Sequence, residues 1–230
     1  MVLNQSFLIF KGDFMSKKVL FYGDSITDCA RNGDHFLKLG SGYANHVSAV
    51  LGAKYPNQFE FINRGISGDR VVDLYARIKV DFINLKPDIA SIFIGVNDAW
   101  HEIEKQNGVN TAKFEKVYNM MLEEIYTANP NIKLILLSPF VLEGRATCNT
   151  EEIPDRLNRF ITDVADKAKA VKRIAKKYNL PLIDLQAAFD DACKLAGPDY
   201  WTTDGAHPSA AGHEIIKNLW IEEFNKLDLI

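Results

Sequence analysis

Cysteine is scarce in this sequence, with only three among 230 residues. Cys29, Cys148 and Cys193 are widely separated, and no two of them form a Cys-x-x-Cys pair. An odd number of cysteines at this spacing favours neither a disulfide framework nor a zinc ribbon. We therefore expect a protein of the reducing cytoplasm.

The sequence also lacks an excess of charge, a long apolar run and a paired metal-binding motif. Lys and Arg number 27 and Asp and Glu number 30, so the formal net charge is -3. This balance provides no basic field to attract nucleic acid or an anionic membrane. No run approaches the roughly 18 apolar residues that a membrane span requires. Because no His-x-x-x-His pair is present either, we predict neither a metal nor another cofactor.

The first 14 residues do not have the pattern of a signal peptide. Their one short apolar run, at 7–10, has no preceding basic residues and no small-residue cleavage site. Met15-Ser-Lys-Lys then leads directly into an apolar run. We interpret residues 1–14 as an appended or mis-called extension. Residues 15–230 are expected to form one domain, since no linker-like composition divides them.

Short apolar runs alternate with longer segments of helical period. The runs are typical of strands buried on both faces of a parallel sheet. They cover residues 19–22, 59–62, 89–94, 134–137 and 182–185. Between them, apolar residues recur every three or four positions, most clearly within 114–125 and 157–178. This order predicts an α/β fold: a flavodoxin-like, three-layer α/β/α arrangement with a doubly wound parallel sheet of about five strands.

Ligands of such sheets bind beyond the carboxyl ends of the strands, so the residues that follow each run are the first candidates. Gly23-Asp24-Ser25-Ile26 follows the first run. Ser25 would lie at a helix N-terminus, where the dipole and free N–H groups favour negative charge. An ordinary helix start, with Asp24 or Ser25 as N-cap, explains the same residues. A serine nucleophile also requires a base.

His207 is the strongest of five histidine candidates for that base. It follows Asp204 by three residues in a polar loop after the last run. At this spacing a carboxylate in a tight turn reaches the imidazole and fixes its tautomer, although an Asp-Gly turn alone is the alternative. Three other histidines are weaker candidates. His35 lies in the loop before the first predicted helix and His46 lies in that helix, with no carboxylate arranged beside either, and His213 belongs to the final helix, where we expect it to pack or to face solvent.

Two further strand ends carry hydrogen-bond donors. The second run leads into Asn63-Arg-Gly65-Ile-Ser-Gly68, whose glycines let a backbone N–H approach a ligand closely. A plain turn between strand and helix is the alternative, and we favour it for Gly68. The third run ends in Gly95-Val-Asn97-Asp98, where Asn97 either donates to an oxyanion or caps a helix.

In order and placement, these four segments resemble the SGNH (GDSL) hydrolase superfamily. The resemblance implies a serine esterase that works through an acyl-enzyme, with Ser25 as nucleophile, His207 as base, Asp204 as its orienter, and Ser25, Gly65 and Asn97 as oxyanion donors. Ile26 stands where the older family name has leucine, which is a volume-conserving change.

Within the superfamily, the sequence is most similar to intracellular bacterial acetylxylan esterases, which are carbohydrate acetylesterases. The similarity rests on segments 23–29, 63–68, 94–100, 138–140 and 184–189. It implies that the substrate is an acetylated saccharide such as a xylo-oligosaccharide, and it raises the expectation of a homo-oligomer. Five aromatic residues of the long connections have the shape to stack on sugar rings or to fill the core: Phe36, Tyr43, Trp100, Phe140 and Trp201. We predict five substrate-binding residues: Asp24, Trp100, His101, Phe140 and Trp201.

Three alternatives stay open at this point. A lysophospholipase or thioesterase would use the same catalytic residues on a longer acyl chain. A flavodoxin-like nucleotide-binding module would share the sheet, but neither Gly-x-Gly-x-x-Gly nor Gly-x-x-x-x-Gly-Lys-Ser/Thr is present. A catalytically inactive carbohydrate-binding homologue is the third, although every motif residue is present. Long connections at 28–42, 98–110 and 139–154 are expected to wall the site.

Overall fold

A computed structural model describes residues 16–31 and 38–227 of the chain. Residues 1–14 and the candidates His35 and Phe36 lie outside these ranges. Five parallel strands form one sheet in the order β2-β1-β3-β4-β5. The strands are β1 (Lys17–Gly23), β2 (Phe59–Gly65), β3 (Ile89–Phe93), β4 (Lys133–Leu137) and β5 (Leu182–Ile183).

Helices connect the strands in the described ranges. They are α1 (Ser25–Asp28), α2 (Tyr43–Lys54), α3 (Val71–Asp81), α4 (Val96–Lys105), α5 (Thr111–Ala128), α6 (Arg156–Tyr178), α7 (Leu185–Ala192), α8 (Pro198–Trp201) and α9 (Ala210–Asn225). A short 3-10 helix at Ile83–Leu85 precedes β3. Within residues 16–31 and 38–227, no helix combines the length and the apolar character needed to cross a membrane.

The core lies on both faces of the sheet. Val19 and Phe21 of β1 belong to one buried cluster, with residues of α2 and α9, whereas Leu20 and Tyr22 belong to a second cluster, with residues of α3 and α5. This alternation is what a near-continuous apolar run produces when helices cover both sides of a parallel strand. The structure therefore confirms the predicted doubly wound α/β fold.

Two predicted boundaries are wrong. The last strand ends at Ile183, because the Asp184 side chain accepts the Ala187 N–H and caps α7, which then takes in Leu185. Most of 98–110 is helix α4 rather than a loop. Val96, Ala99 and Ile103 are buried at helical spacing, so this segment carries an amphipathic pattern of its own.

The register brings three candidate segments to one edge of the sheet. Gly23, the last residue of β1, pairs with Gly65 on β2 and with Phe93 on β3. Ser25, Gly68 and Asn97 each follow one of these three paired residues by only a few positions. Parallel pairing is therefore sufficient to bring together residues that are far apart in sequence.

Candidate active site

Ser25, His207 and Asp204 form one chain of hydrogen bonds. Ser25 Oγ lies 2.8 Å from His207 Nε2, and His207 Nδ1 lies 2.7 Å from Asp204 Oδ2. The His207 side chain is 41% exposed, whereas that of Asp204 is 13% exposed. The three residues selected from sequence are thus adjacent in space, with the imidazole in the middle and open to solvent on one side.

The loop that carries His207 is ordered by the Asp204 carboxylate. Asp204 Oδ1 accepts the backbone N–H of Ala206 at 3.0 Å and that of His207 at 2.8 Å. Gly205 has a φ of 102°, a conformation that glycine adopts without the strain of a Cβ atom. Because one carboxylate oxygen holds the backbone, the other is directed at the imidazole ring.

The Asp204 carboxylate determines the tautomer of His207. An ionised Asp204 is an acceptor, so it holds the proton of His207 on Nδ1 and leaves the lone pair of Nε2 facing the Ser25 hydroxyl. The hydrogen bond to Asp204 raises the pKa of His207, and desolvation of the ring opposes this effect. Partial burial disfavours ionised Asp204, but hydrogen bonds from His207 and two backbone amides outweigh it and lower the pKa of Asp204 to about 2.

Asp24 caps the one-turn helix α1 that starts at Ser25. Its side chain accepts the Ile26 N–H at 3.0 Å and is completely buried. This burial raises the pKa of Asp24 to about 7. The choice of Asp24 as a substrate-binding residue is contradicted by this burial, since no part of the side chain is accessible to a ligand.

Asn97 has the geometry expected of an oxyanion donor. It lies in the first turn of α4 and is 8% exposed. Its Nδ2 donates one hydrogen bond to the backbone oxygen of Asp69 at 3.1 Å. A side-chain amide has two N–H donors, so this contact orients the group and leaves one donor available.

Gly65 does not present the free donor expected of it. Its N–H donates to Asn63 Oδ1 at 2.8 Å, and a Cβ atom at this position would lie 2.1 Å from the backbone nitrogen of Asp28. The Asn63 amide in turn donates to the carbonyl of Thr27 at 2.6 Å. Gly65 therefore serves the close packing of β2 against α1, and its assignment as an oxyanion donor has to be corrected.

Gly68 is the glycine of this segment with a free N–H. Within the described ranges, no acceptor is bonded to its backbone nitrogen, and a Cβ atom at this position would meet nothing within 4 Å. Its φ is 87°, and it directly precedes Asp69, whose carbonyl holds the Asn97 amide. The sequence predicts only a turn at Gly68, because the direction of an N–H is a property of the folded loop.

Comparison with known proteins identifies the family. Residues 21–215 match the model of the GDSL-like lipase/acylhydrolase family. The chain belongs to this family. It is accordingly an enzyme that acts on ester bonds, and the resemblance recognised in the sequence is confirmed.

Relatives of this GDSL hydrolase cover nearly the whole chain. An acetylxylan esterase from Geobacillus stearothermophilus is 36% identical over 217 residues, which are 90% of this chain and 93% of that enzyme. Its crystal structure aligns over the same shares with a TM-score of 0.76. A GDSL-like lipase candidate from Parabacteroides merdae aligns with a TM-score of 0.83 at 31% identity, over 91% of this chain and 96% of that one. Variants of the Geobacillus enzyme with one serine or one aspartate replaced by alanine were crystallised as catalytic mutants.

One of the aromatic substrate-binding candidates of this GDSL hydrolase, Trp100, lies beside His207. Its ring centroid is 6.2 Å from that of His207 and 5.2 Å from that of Phe160. Trp201 is also half-buried; its Nε1 donates to the Ala196 carbonyl at 3.1 Å. Both tryptophans therefore keep partly accessible ring surface on segments that adjoin the site.

Two other aromatic candidates belong to the core instead. Phe140 is completely buried and stacks on Phe189 with 4.1 Å between ring centroids. Tyr43 is completely buried as well, with its hydroxyl 3.0 Å from Thr27 Oγ1. Neither ring is available to stack on a sugar, because apolar contacts already cover it.

The remaining histidines lie outside the hydrogen-bond chain. His101 belongs to α4 rather than to a loop, and no contact joins it to the candidate triad in the described part of the chain. His46 has a carboxylate neighbour after all, since its Nδ1 lies 2.9 Å from Glu214 Oε1. His213 is 4% exposed, and its Nδ1 accepts the Tyr43 N–H at 3.1 Å, so it is a packing residue as expected. Among the residues of the two described ranges, no group of three or more potential ligands could hold a metal ion.

Proposed function

We propose that this protein is a serine acetylesterase that removes acetyl groups from carbohydrates such as acetylated xylo-oligosaccharides. The observation that carries the proposal is the hydrogen-bond chain from Ser25 through His207 to Asp204 at the carboxyl edge of the sheet. The identity to an acetylxylan esterase supports the choice of acyl group and alcohol.

The reaction has two acyl-transfer steps. His207 Nε2 accepts the Ser25 proton while Ser25 Oγ attacks the ester carbonyl carbon, which forms a tetrahedral oxyanion. Collapse of this intermediate breaks the bond to the sugar oxygen, and His207 returns the proton to that oxygen. Water then attacks the acetyl-serine with the same base, which releases acetate and restores the hydroxyl group of Ser25.

The oxyanion is stabilised by donors around the end of β1. Ser25 N–H and the second N–H of the Asn97 amide are two of them, and Gly68 N–H replaces Gly65 N–H as the third. Donors that are already oriented before the reaction lower the barrier without reorganisation, and each is typically worth ~10² to 10³ in turnover. The bond from Asn97 to the Asp69 carbonyl supplies this orientation.

The half-buried Trp100 and Trp201 support a carbohydrate as the alcohol part of the substrate. Trp100 lies beside the ring of His207, which returns the proton to the leaving alcohol in the proposed reaction. An aromatic face of this kind packs against the apolar face of a sugar ring, whereas a long acyl chain requires an extended apolar groove. The residues therefore favour a large alcohol and a small acyl group.

A substrate series tests the proposal directly. We expect kcat/KM to fall from p-nitrophenyl acetate to the octanoate and the palmitate, and acetate to be released from acetylated xylobiose. Ser25→Ala should abolish both activities, while Ser48→Ala serves as the matched control, since the half-buried Ser48 hydroxyl bonds only to the Asn45 carbonyl of its own helix α2. A preference for long acyl chains would instead indicate a lysophospholipase or thioesterase. Near-normal activity of Ser25→Ala would refute the mechanism altogether.

A further inference from the structure

Arg77 connects both halves of the candidate site, although it touches none of the three triad residues. It lies in the middle of α3, and its side chain is 15% exposed. The guanidinium group makes four hydrogen bonds: to the carbonyl of Gly23 at 3.1 Å, the carbonyl of Arg64 at 2.9 Å, the carboxylate of Asp69 at 2.7 Å and the carboxylate of Asp81 at 3.1 Å. The group also lies over the ring of Tyr22, with 4.6 Å to its centroid.

The first of these bonds fixes the strand end that leads into the nucleophile. Gly23 is the last residue of β1, and only Asp24 separates it from Ser25. Its carbonyl also accepts the Ile66 N–H at 3.0 Å. Two donors on one carbonyl leave the Gly23–Asp24 peptide little freedom to rotate, and this peptide leads directly into Ser25.

The bond to Asp69 fixes the other half of the site. While the carboxylate of Asp69 binds Arg77, the backbone oxygen of the same residue accepts the Asn97 amide at 3.1 Å. The Asp69 side chain is 13% exposed, so the pair is largely sheltered from water and from screening by salt. Displacement of Asp69 would therefore move the acceptor that orients Asn97, together with the neighbouring N–H of Gly68.

We propose that Arg77 is a positioning residue for the esterase reaction, which sets the nucleophile and the oxyanion donors at a fixed separation. The inference rests on the proposed function of Ser25 and Asn97. Arginine suits the task because its planar group binds several acceptors in fixed directions, whereas the lysine ammonium is a compact charge on a flexible stem. A displacement of ~1 Å in such an arrangement costs about a hundredfold in rate.

Arg77→Lys is the direct test, because it keeps the charge and removes the fixed directions of the donors. We expect kcat for p-nitrophenyl acetate to fall by about tenfold to a hundredfold per active site, with KM changed by less than about threefold. Binding of a boronic acid that forms a tetrahedral adduct with Ser25 should weaken by a similar factor. The matched control is Arg64→Lys, whose side chain pairs with Asp81 at 3.4 Å and has no bond to Gly23 or Asp69; it should keep its kcat.

A second pair of variants separates positioning from stability. Asp69→Asn removes the Arg77-bound carboxylate of the residue whose backbone oxygen orients Asn97. Asp81→Asn removes the second carboxylate on Arg77, which has no bond to Gly23 or Asn97. We expect Asp69→Asn to lower kcat and to be non-additive with Arg77→Lys, while Asp81→Asn changes stability alone. Asp69→Asn also remains informative if Arg77→Lys does not fold.

Two outcomes would overturn the inference. One is that Arg77→Lys and Asp69→Asn lower the melting temperature yet keep kcat per active site, counted by fluorophosphonate labelling of Ser25. The other is a loss of kcat that Arg64→Lys or Asp81→Asn reproduces in full. Failure of the proposed function is distinguishable from either, since it appears as activity of Ser25→Ala or as absence of labelling at Ser25 in the unmodified protein.

Discussion

Asp204 contacts His207 twice: its Oδ2 lies 2.7 Å from the ring Nδ1, and its Oδ1 accepts the backbone N–H of the same residue at 2.8 Å. One carboxylate thus orders both the loop and the imidazole. A spacing of three residues is therefore sufficient for the pair, because the turn that brings the ring to the carboxylate is held by the carboxylate itself. This arrangement also determines how the proposed reaction should depend on pH.

We expect kcat/KM to rise with pH as His207 loses its proton, because only the neutral imidazole accepts the proton of Ser25. The hydrogen bond to Asp204 raises the pKa of His207 above its ordinary value of 6.5, so the acid limb of the profile should lie above that pH. Asp204→Asn should lower kcat by roughly 10⁴ and move the acid limb to lower pH, since the imidazolium loses its partner.

The measurement is the pH profile of kcat/KM for p-nitrophenyl acetate in both proteins. Asp199→Asn, at an exposed position of α8, is the matched control and should leave the profile unchanged. An acid limb at the same pH in Asp204→Asn and the unmodified protein would contradict the role given to Asp204.

Asn97→Ala should lower kcat by about 10² to 10³ with little change in KM, because the amide acts on the oxyanion and not on the bound ester. Folding should persist, since the side chain makes one hydrogen bond, to the Asp69 carbonyl. Steady-state kinetics and circular dichroism check both parts. Asn119→Ala on α5, whose amide bonds to the Glu115 carbonyl, is the control away from the site. Equal losses of kcat in the two variants would show that Asn97 is not an oxyanion donor.

The sequence was sufficient to predict the fold because each strand is buried on both faces. Val19–Tyr22 is a continuous apolar run, which distinguishes a strand of a covered parallel sheet from a half-exposed one. Because parallel strands end at the same edge of a sheet, the sequence also predicts that Ser25 and Asn97 lie together at that edge. The helical spacing of Val96, Ala99 and Ile103 is also visible in the sequence and indicates α4. The polar residues between them make this pattern easy to mistake for a loop.

Other features depend on how the folded chain directs individual groups. In the sequence, Gly65 and Gly68 are both candidates for an oxyanion donor. In the folded loop, Asn63 Oδ1 accepts the Gly65 N–H, whereas the Gly68 N–H stays free among the described residues. Phe140 follows a strand as a binding residue would, but the stacking against Phe189 buries it. The predicted cytoplasmic location, the homo-oligomer, and the division of the chain into residues 1–14 and 15–230 stay predictions.

Gly65→Ala should destabilise the fold, because the new methyl group would overlap the backbone of α1 at Asp28, where no side chain can move aside. Overpacking of this kind costs typically about 1 to 3 kcal/mol. Gly52→Ala is the matched control, since a Cβ atom at that position of α2 meets nothing within 4 Å; it should raise stability by up to about 1 kcal/mol through helix propensity. Urea denaturation of both variants gives the comparison, and equal stabilities would refute the steric role of Gly65.

His213 should make the fold sensitive to acid. Burial, together with the nearby His46 and His207, lowers the pKa of His213 to about 4, from an ordinary value of 6.5. The neutral ring is thus favoured in the folded state, so its contribution to stability is complete above pH 6.5 and is lost as pH falls towards 4. A shift of this size corresponds to up to about 3 kcal/mol.

His213→Asn isolates this contribution, because the asparagine oxygen can accept the Tyr43 N–H in place of Nδ1 but does not titrate. We expect His213→Asn to be less stable than the unmodified protein at pH 7, because it lacks a buried ring. Between pH 7 and pH 4.5, however, its free energy of unfolding should fall by less than that of the unmodified protein. Asp24 contributes with the opposite sign, because burial raises its pKa to about 7 and protonation stabilises the folded state as pH falls. Since Asp24 is present in both proteins, its effect cancels in the difference. Urea denaturation at pH 7, 5.5 and 4.5 measures that difference, and parallel losses in the two proteins would show that His213 does not titrate on unfolding.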